Sequence, residues 1–271
     1  MMQWKRRGCL RALGGAGVWS LGGAKPVWAA QDDHSEGDPL GSMQWPSLRD
    51  EIMGKGARMR FAPEVLVRGP QFADDAMNVP VLLDARALSA VGGGIERIEV
   101  AADRNPVRAI LSFTPHQSLP VLAFRFKLEQ ASPLRVMVLT RDGQWHVGQT
   151  LIQASGGGCT VPGRSRADGS WERTLMQVQA KFFLNVLEGS RRLRLRVMHP
   201  MDTGLAAGIP PFFIERMALT DERGALCWEL ALHEPVSENP LLTFEMANAT
   251  AQRWVLTGAD NNGNRLHEVI G

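Results

Sequence analysis

One cysteine stands in the segment ASGGGCTVPG, residues 154–163, directly after three glycines. A deprotonated thiol is a nucleophile, and its reactivity follows its exposure and its thiolate fraction. Gly156, Gly157 and Gly158 have no side chains to hold the segment against a sheet, and their freedom in φ would let the Cys159 thiol sweep a wide volume. That suits a swinging arm whose thiol moves between partner proteins. The same residues also suit one half of a disulfide.

The candidate disulfide partner is Cys227 in GALCWELAL. There Leu226, Trp228, Leu230 and Leu232 fall on the apolar face of a strand, while Cys227 shares the other face with Glu229 and is expected to be only partly buried. Cys227 is either a small filler in that strand or the partner that staples Cys159 in an oxidising compartment.

Other chemistry is thinly represented. The chain has no Gly-x-Ser-x-Gly elbow, phosphate loop, dinucleotide fingerprint, His-Glu-x-x-His or Cys-x-x-Cys, and no paired carboxylates. His199 and Met201 in HPMDTG are too few to hold a soft metal and read as a structured loop. ADNNGN begins like a calcium loop but lacks its distal bidentate acid, so it reads as a hairpin turn. Gly92, Gly93 and Gly94 read as another turn. No catalytic residue, metal or cofactor is implied, and an enzyme acting alone is the least supported class.

The first residues, MMQWKRRGCLRALGGAGVWSLGGAKPVWAA, have a basic head, a weakly apolar middle and a small-residue exit, the pattern of an export signal. Lys5 to Arg11 resembles a twin-arginine signal, with Cys9 where phenylalanine is usual, and Val27-Trp28-Ala29 places cleavage after Ala29. A periplasmic location is therefore expected. The apolar middle is too short and glycine-rich to span a membrane. The whole chain has 30 basic and 28 acidic residues; losing Lys5, Arg6, Arg7, Arg11 and Lys25, and no acid, leaves 25 against 28, a balance of −3. That is not the charge of a nucleic-acid binder.

The elements that must position the thiol are strands. A hydrophobic fraction of 44% against 21% charged marks a folded chain, and 271 residues suffice for two cores. Residues 30–44 are polar and expected to be an unstructured tether. Ser47 is expected to cap a short helix with Leu48 and Ile52 on one face. From Val65 on, short apolar runs alternate with turns: in LPVLAFRFKL, Leu122, Phe124, Phe126 and Leu128 share one face and Ala123, Arg125 and Lys127 the other. Asp142-Gly143, Asp221 to Gly224 and Asp260 to Gly263 read as hairpin turns. Pro162 to Ser170 has loop composition and marks a boundary. Asn105-Pro106 and Asn239-Pro240 each open an apolar strand, a weak sign that the halves are alike. The expected fold is all-β: two immunoglobulin-like antiparallel β-sandwich domains in tandem after a short N-terminal helix, over 45–155 and 171–271, with the arm and linker over 156–170 between them.

These residues resemble a known pair of proteins. NPVRAILSFTP, LPVLAFRFKL and RDGQWHVGQTLIQASGGGC are similar to the second half of SoxY, the sulfur-carrier subunit whose chain ends in a glycine-flanked cysteine. HPMDTG, GIPPFFIERMAL, SENPLLTFEM and GADNNGN are similar to SoxZ, its partner subunit. The resemblance runs from about Met59 and implies a SoxY–SoxZ fusion in which Cys159 holds a sulfur intermediate covalently, as a thiosulfonate or persulfide. It implies no catalytic site in the carrier itself: separate periplasmic enzymes, such as c-type cytochromes or sulfur-oxidising enzymes, attach, oxidise and hydrolyse the cargo. The sequence departs from the family at the arm, because Thr160, Val161 and Pro162 follow Cys159 where the family arm ends in Gly-Gly. Fused relatives of this type also resemble carriers associated with quinoprotein dehydrogenases, whose cargo need not derive from thiosulfate. A third reading, in which Cys159–Cys227 staples a structural adaptor, rests on the two cysteines alone.

Overall fold

A computed structural model of the chain describes residues 37–184, 190–247 and 253–271. The export signal expected over 1–29 and residues 30–36 of the expected tether lie outside them. One helix, α1 (Trp45–Met53), precedes the strands. It starts two residues before Ser47, with Pro46 in its first turn, whose missing N–H no helix start needs; Gly54 ends it at φ 86°.

The first half contributes β1 (Met59–Phe61), β2 (Leu66–Arg68), β3 (Phe72–Ala73), β4 (Val79–Asp84), β5 (Ile95–Ala102), β6 (Ala109–Thr114), β7 (Ser118–Phe126), β8 (Ser132–Thr140) and β9 (Trp145–Ala154). The second contributes β10 (Val178–Leu184), β11 (Ser190–Val197), the two-residue pair β12 (Asp202–Thr203) and β13 (Pro211–Phe212), then β14 (Ile214–Asp221), β15 (Leu226–Leu232), β16 (Leu241–Ala247), β17 (Trp254–Asp260) and β18 (Arg265–Ile270). The three expected hairpin turns join β8 to β9, β14 to β15 and β17 to β18, with Gly143, Gly224 and Gly263 at positive φ. Between the halves, the expected loop holds one short helix, α2 (Arg164–Asp168), and a second, α3 (Trp171–Thr174), follows it where the second sandwich was expected to begin.

The strands form two layers that both cross from one half to the other. One sheet runs β1-β9-β8-β5-β6-β15-β14-β17-β18, with β3 on β9, and the other runs β10-β11-β16-β7-β4-β2. Pairing is antiparallel except at β1–β9 and β3–β9. Two antiparallel seams join the halves: β6 to β15, with Phe113 opposite Leu230, and β7 to β16, with Ala123 opposite Thr243. The C-terminal half therefore supplies four strands to one layer and three to the other, the immunoglobulin-like count.

Alternation builds the core as expected in β7, where Leu122, Phe124 and Phe126 are buried and Arg125 is exposed. Across the core the Trp228 and Phe244 rings, from opposite layers, stack 8° from parallel with centroids 4.2 Å apart. In β8 every residue is buried, because α1 covers the sheet's outer face: Trp45 and Leu48 pack on Ala101, Met137 and Val147.

The end of the expected tether is fixed by charge. Asp38 grips the buried Arg135 guanidinium through both oxygens, at 2.6 and 2.8 Å, and Asp103 grips it from the other side at 2.7 and 2.9 Å. All three side chains are fully buried, and the Trp45 ring lies 4.6 Å from the guanidinium. Burial alone would raise the Asp38 carboxyl; Arg135 and the Ser42 amide outweigh it and hold the group below its ordinary value. Residues 37–44 read as a solvated tether because an Asp's partner ninety-seven positions away leaves no mark in local composition.

Candidate functional site

The backbone leaving β7 builds a cradle for Cys159. Lys127, Leu128 and Glu129 form it, and the Asn105 side chain braces it, donating from Nδ2 to the Lys127 carbonyl (2.8 Å) and accepting the Glu129 amide at Oδ1 (2.9 Å). Glu129 holds the arm: its carboxylate accepts the Cys159 amide at 2.9 Å and the Thr160 hydroxyl at 3.2 Å, and its carbonyl accepts the Gly157 amide at 3.1 Å. The Cys159 thiol lies 3.6 Å from the Lys127 carbonyl and is 1% exposed.

The glycines are explained by this cradle. A Cβ on Gly158 would stand 2.2 Å from the Ala76 carbonyl oxygen and 2.6 Å from that of Leu128, so no side chain fits without moving backbone. Gly156 turns the chain at φ 100°, a conformation L side chains rarely adopt. The segment expected to leave the thiol free is docked here, and glycine's small size does the docking.

The second half closes the site. Thr203 donates its hydroxyl to the Cys159 carbonyl at 2.5 Å. The loop His199 to Asp202 that carries Thr203 is rigid: the His199 ring accepts the Met201 amide at Nδ1 (3.0 Å), and Asn239 accepts the His199 amide at Oδ1 (3.0 Å). Asn105 and Asn239, the two Asn-Pro residues, thus brace opposite walls. Arg166 of α2, seven residues past the thiol, donates to Asp202 at 2.8 Å. His199 and Met201 are occupied in this loop, and among the described residues no group of three or more His, Cys, Asp or Glu could hold a metal ion.

Lys127 is the residue sequence reasoning misplaced. Alternation puts it on the solvent face, yet the strand ends at Phe126, and Lys127 turns inward, 2% exposed, to donate to the Met201 carbonyl. Burial lowers its pKa to about 8, opposed by Asp202, the Cys159 thiol and Glu238. The thiol responds to burial first and to the Glu129 carboxylate second, and is pushed up to about 12 despite the Lys127 cation. At neutral pH the docked thiol is held protonated. The cradle therefore stores a protonated, inert thiol.

Cys227 stays apart. It is 4% exposed rather than partly open, its thiol faces the Ala225 carbonyl at 3.9 Å, and burial pushes it up to about 11. Both cysteines are free, so the staple weighed from the sequence does not form in this structure.

Comparison with known proteins matches two families to consecutive stretches of the chain. The family described as sulfur oxidation protein SoxY matches residues 49–159, ending on the docked cysteine, and the family described as sulphur oxidation protein SoxZ matches residues 186–269. The chain belongs to the SoxYZ family. It is a SoxY–SoxZ fusion of the sulfur-carrier type, and its two halves are the two subunits joined in one chain. Among solved structures it is similar to the sulfur carrier protein SoxY from Chlorobium limicola f thiosulfatophilum, at 14% identity and TM-score 0.34 over 41% of this chain and 96% of that one. It is also similar to a beta-glycosidase from Bacteroides vulgatus, at 8% identity and TM-score 0.23 over 84% of this chain and 26% of the other. A search of curated proteins returns no match. In SoxYZ terms, Glu129 and Lys127 come from the SoxY half and Thr203 from the SoxZ half. Lys127 and Thr203 lie in stretches that carried the resemblance, LPVLAFRFKL and HPMDTG, while Glu129 lies just beyond the first.

Proposed function

We propose that this SoxYZ protein carries its sulfur cargo on Cys159 in the periplasm and presents it to separate redox enzymes by undocking residues 156–163 from the cradle. The observation behind this reading is that the segment carrying the buried thiol at the end of the SoxY half is held by reversible hydrogen bonds of the Cys159 backbone, its amide to Glu129 and its carbonyl to Thr203. Loading forms an S–S bond between the Cys159 sulfur and an anionic sulfane sulfur. It releases the thiol proton and two electrons, which the attaching partner must accept; a c-type cytochrome or a quinoprotein dehydrogenase system has that capacity. Hydrolysis of an oxidised cargo leaves a persulfide on Cys159, and reductive cleavage of the S–S bond, with two electrons and a proton supplied by a partner, returns the thiol to its cradle. In this cycle the chain contributes the nucleophile, its storage and its release, and takes no part as a catalyst.

Tethering on both sides limits reach. Thr160, Val161 and Pro162 lead into α2, so partners meet a loop rather than a free end. A partner built for this carrier therefore needs an open cleft in place of a narrow tunnel.

The test is replacement in cells. Cys159→Ser should abolish cargo attachment while leaving folding intact, and Cys227→Ser should leave attachment unchanged. Full function of the Cys159→Ser protein would remove the carrier reading.

A further inference from the structure

The outer face of the six-stranded sheet concentrates cations that the net charge conceals. Along β11 the residues Leu193, Leu195 and Val197 are buried, so Arg192, Arg194 and Arg196 point outward. The register sets Lys181 of β10 opposite Arg194, Arg194 opposite Thr243, Thr243 opposite Ala123 and Ala123 opposite Leu82, which lies opposite Arg68. Large cations thus stand at both ends of a row whose middle is small, and a groove of about 850 Å³ follows that row. Arg125 stands in the groove and also in a second hollow of about 430 Å³, which continues to Arg196 and Glu238. Among the described residues, Glu245 holds Arg192 at 2.6 Å, and no carboxylate pairs with the other five cations of this face.

Three features point to what covers this face. Five cations with no carboxylate partner among the described residues gather on it, a surplus that suits an anionic occupant. Phe183, 38% exposed among the arginines, gives the groove an apolar anchor, the aromatic and arginine mixture of protein interfaces. The face is continuous with the arm: Glu238 at its end accepts the backbone amides of Arg164 and Ser165, both at 2.7 Å, five and six residues beyond Cys159. We propose that this sheet face docks the acidic surface of a partner protein that acts on Cys159, holding it beside the segment that must undock. The proposal rests on the carrier reading for the identity of its occupant as a cargo-handling enzyme.

The test uses the mature protein, the exposed charge-reversal variant K181E/R194E, and R216E/R265E on the other sheet as a control. A fluorescein-labelled deca-glutamate peptide stands in for the acidic surface, and its anisotropy is read at low and high salt. We expect K181E/R194E to weaken peptide binding roughly tenfold and the control to leave it within about twofold, with binding lost at high salt. Equal weakening in both variants, or displacement of the peptide by millimolar sulfate, would overturn the docking face. Occupancy of Cys159 after expression in the native host separates the two ideas. Loaded wild type with loading reduced severalfold in K181E/R194E supports docking; equal loading in both overturns docking and leaves the carrier standing. An unloaded wild type would instead remove the carrier reading, and the peptide result alone would then decide the face.

Discussion

The Thr203 hydroxyl of the SoxZ half donates to the carbonyl oxygen of Cys159 in the SoxY half at 2.5 Å. The latch on the thiol segment therefore crosses between the two family halves, which gives the fusion a physical role: both walls of the cradle are always present at full stoichiometry. A neutral hydrogen bond contributes about 1 kcal/mol. We expect Thr203→Val to raise the iodoacetamide rate at Cys159 about fivefold at pH 7.5, with Cys227 unchanged, read by peptide mass mapping. An unchanged rate would mean Thr203 does not hold the segment.

Gly158 is tighter. Its missing Cβ leaves room for the Ala76 and Leu128 carbonyls, and Gly158→Ala forces the arm out rather than the sheet apart. The expected outcome is a thiol alkylated at least tenfold faster than in Thr203→Val, with a melting temperature lowered by only a few degrees. A Gly158→Ala protein whose Cys159 stays protected would show that the cradle backbone yields easily.

The pH dependence distinguishes a stored thiol from a free one. Docking raises the Cys159 pKa to about 12, while an exposed thiol sits near 8.5. The raised value means docking favours the protonated form. That stabilisation is complete below about pH 8.5 and is lost as pH rises toward 12. Alkylation through undocking draws on a small open fraction, so it should be slow at pH 7 and still climb about tenfold per pH unit past 8.5, where an exposed thiol levels off. A rate that levels off near 8.5 would mean the thiol already stands free of its cradle.

How much of this was legible depended on distance along the chain. Strand alternation, the hairpin turns and the position of Cys159 are local patterns, and the all-β fold and the SoxY and SoxZ resemblance followed from them. What stayed hidden was set by contacts between distant residues. Lys127 breaks the alternation of β7 just past the strand's end, because the Met201 carbonyl from the other half draws it inward. The three glycines do mark the site, but the same absence of side chains that suggests mobility also permits the 2.2 Å approach that docks Gly158. Asp38 looked like solvated tether until Arg135 and Asp103 were brought to it by the fold.

That ion triad should matter to stability. Arg135→Met leaves Asp38 and Asp103 buried without a cation, and losing one partner of a buried pair costs about 3–5 kcal/mol. Asp38→Asn should cost less, since Asp103 remains. Because the Asp38 pKa is lowered in the fold, its contribution is present above the ordinary carboxylate value and lost as pH falls below it. The difference in melting temperature between wild type and Asp38→Asn should therefore be full at pH 6 and shrink below about pH 4. A constant difference across that range would mean the Asp38 charge is not what stabilises the segment.

The central claim concerns what Cys159 holds. The most direct measurement is the intact mass of the mature protein, purified from its host without reductant, followed by peptide mapping before and after reduction. We expect added mass from sulfur on the Cys159 peptide that a reductant removes, with Cys227 unmodified. A loss of two hydrogens linking Cys159 to Cys227 would contradict carriage on Cys159, as would a Cys159 that never bears sulfur in cells engaged in sulfur oxidation.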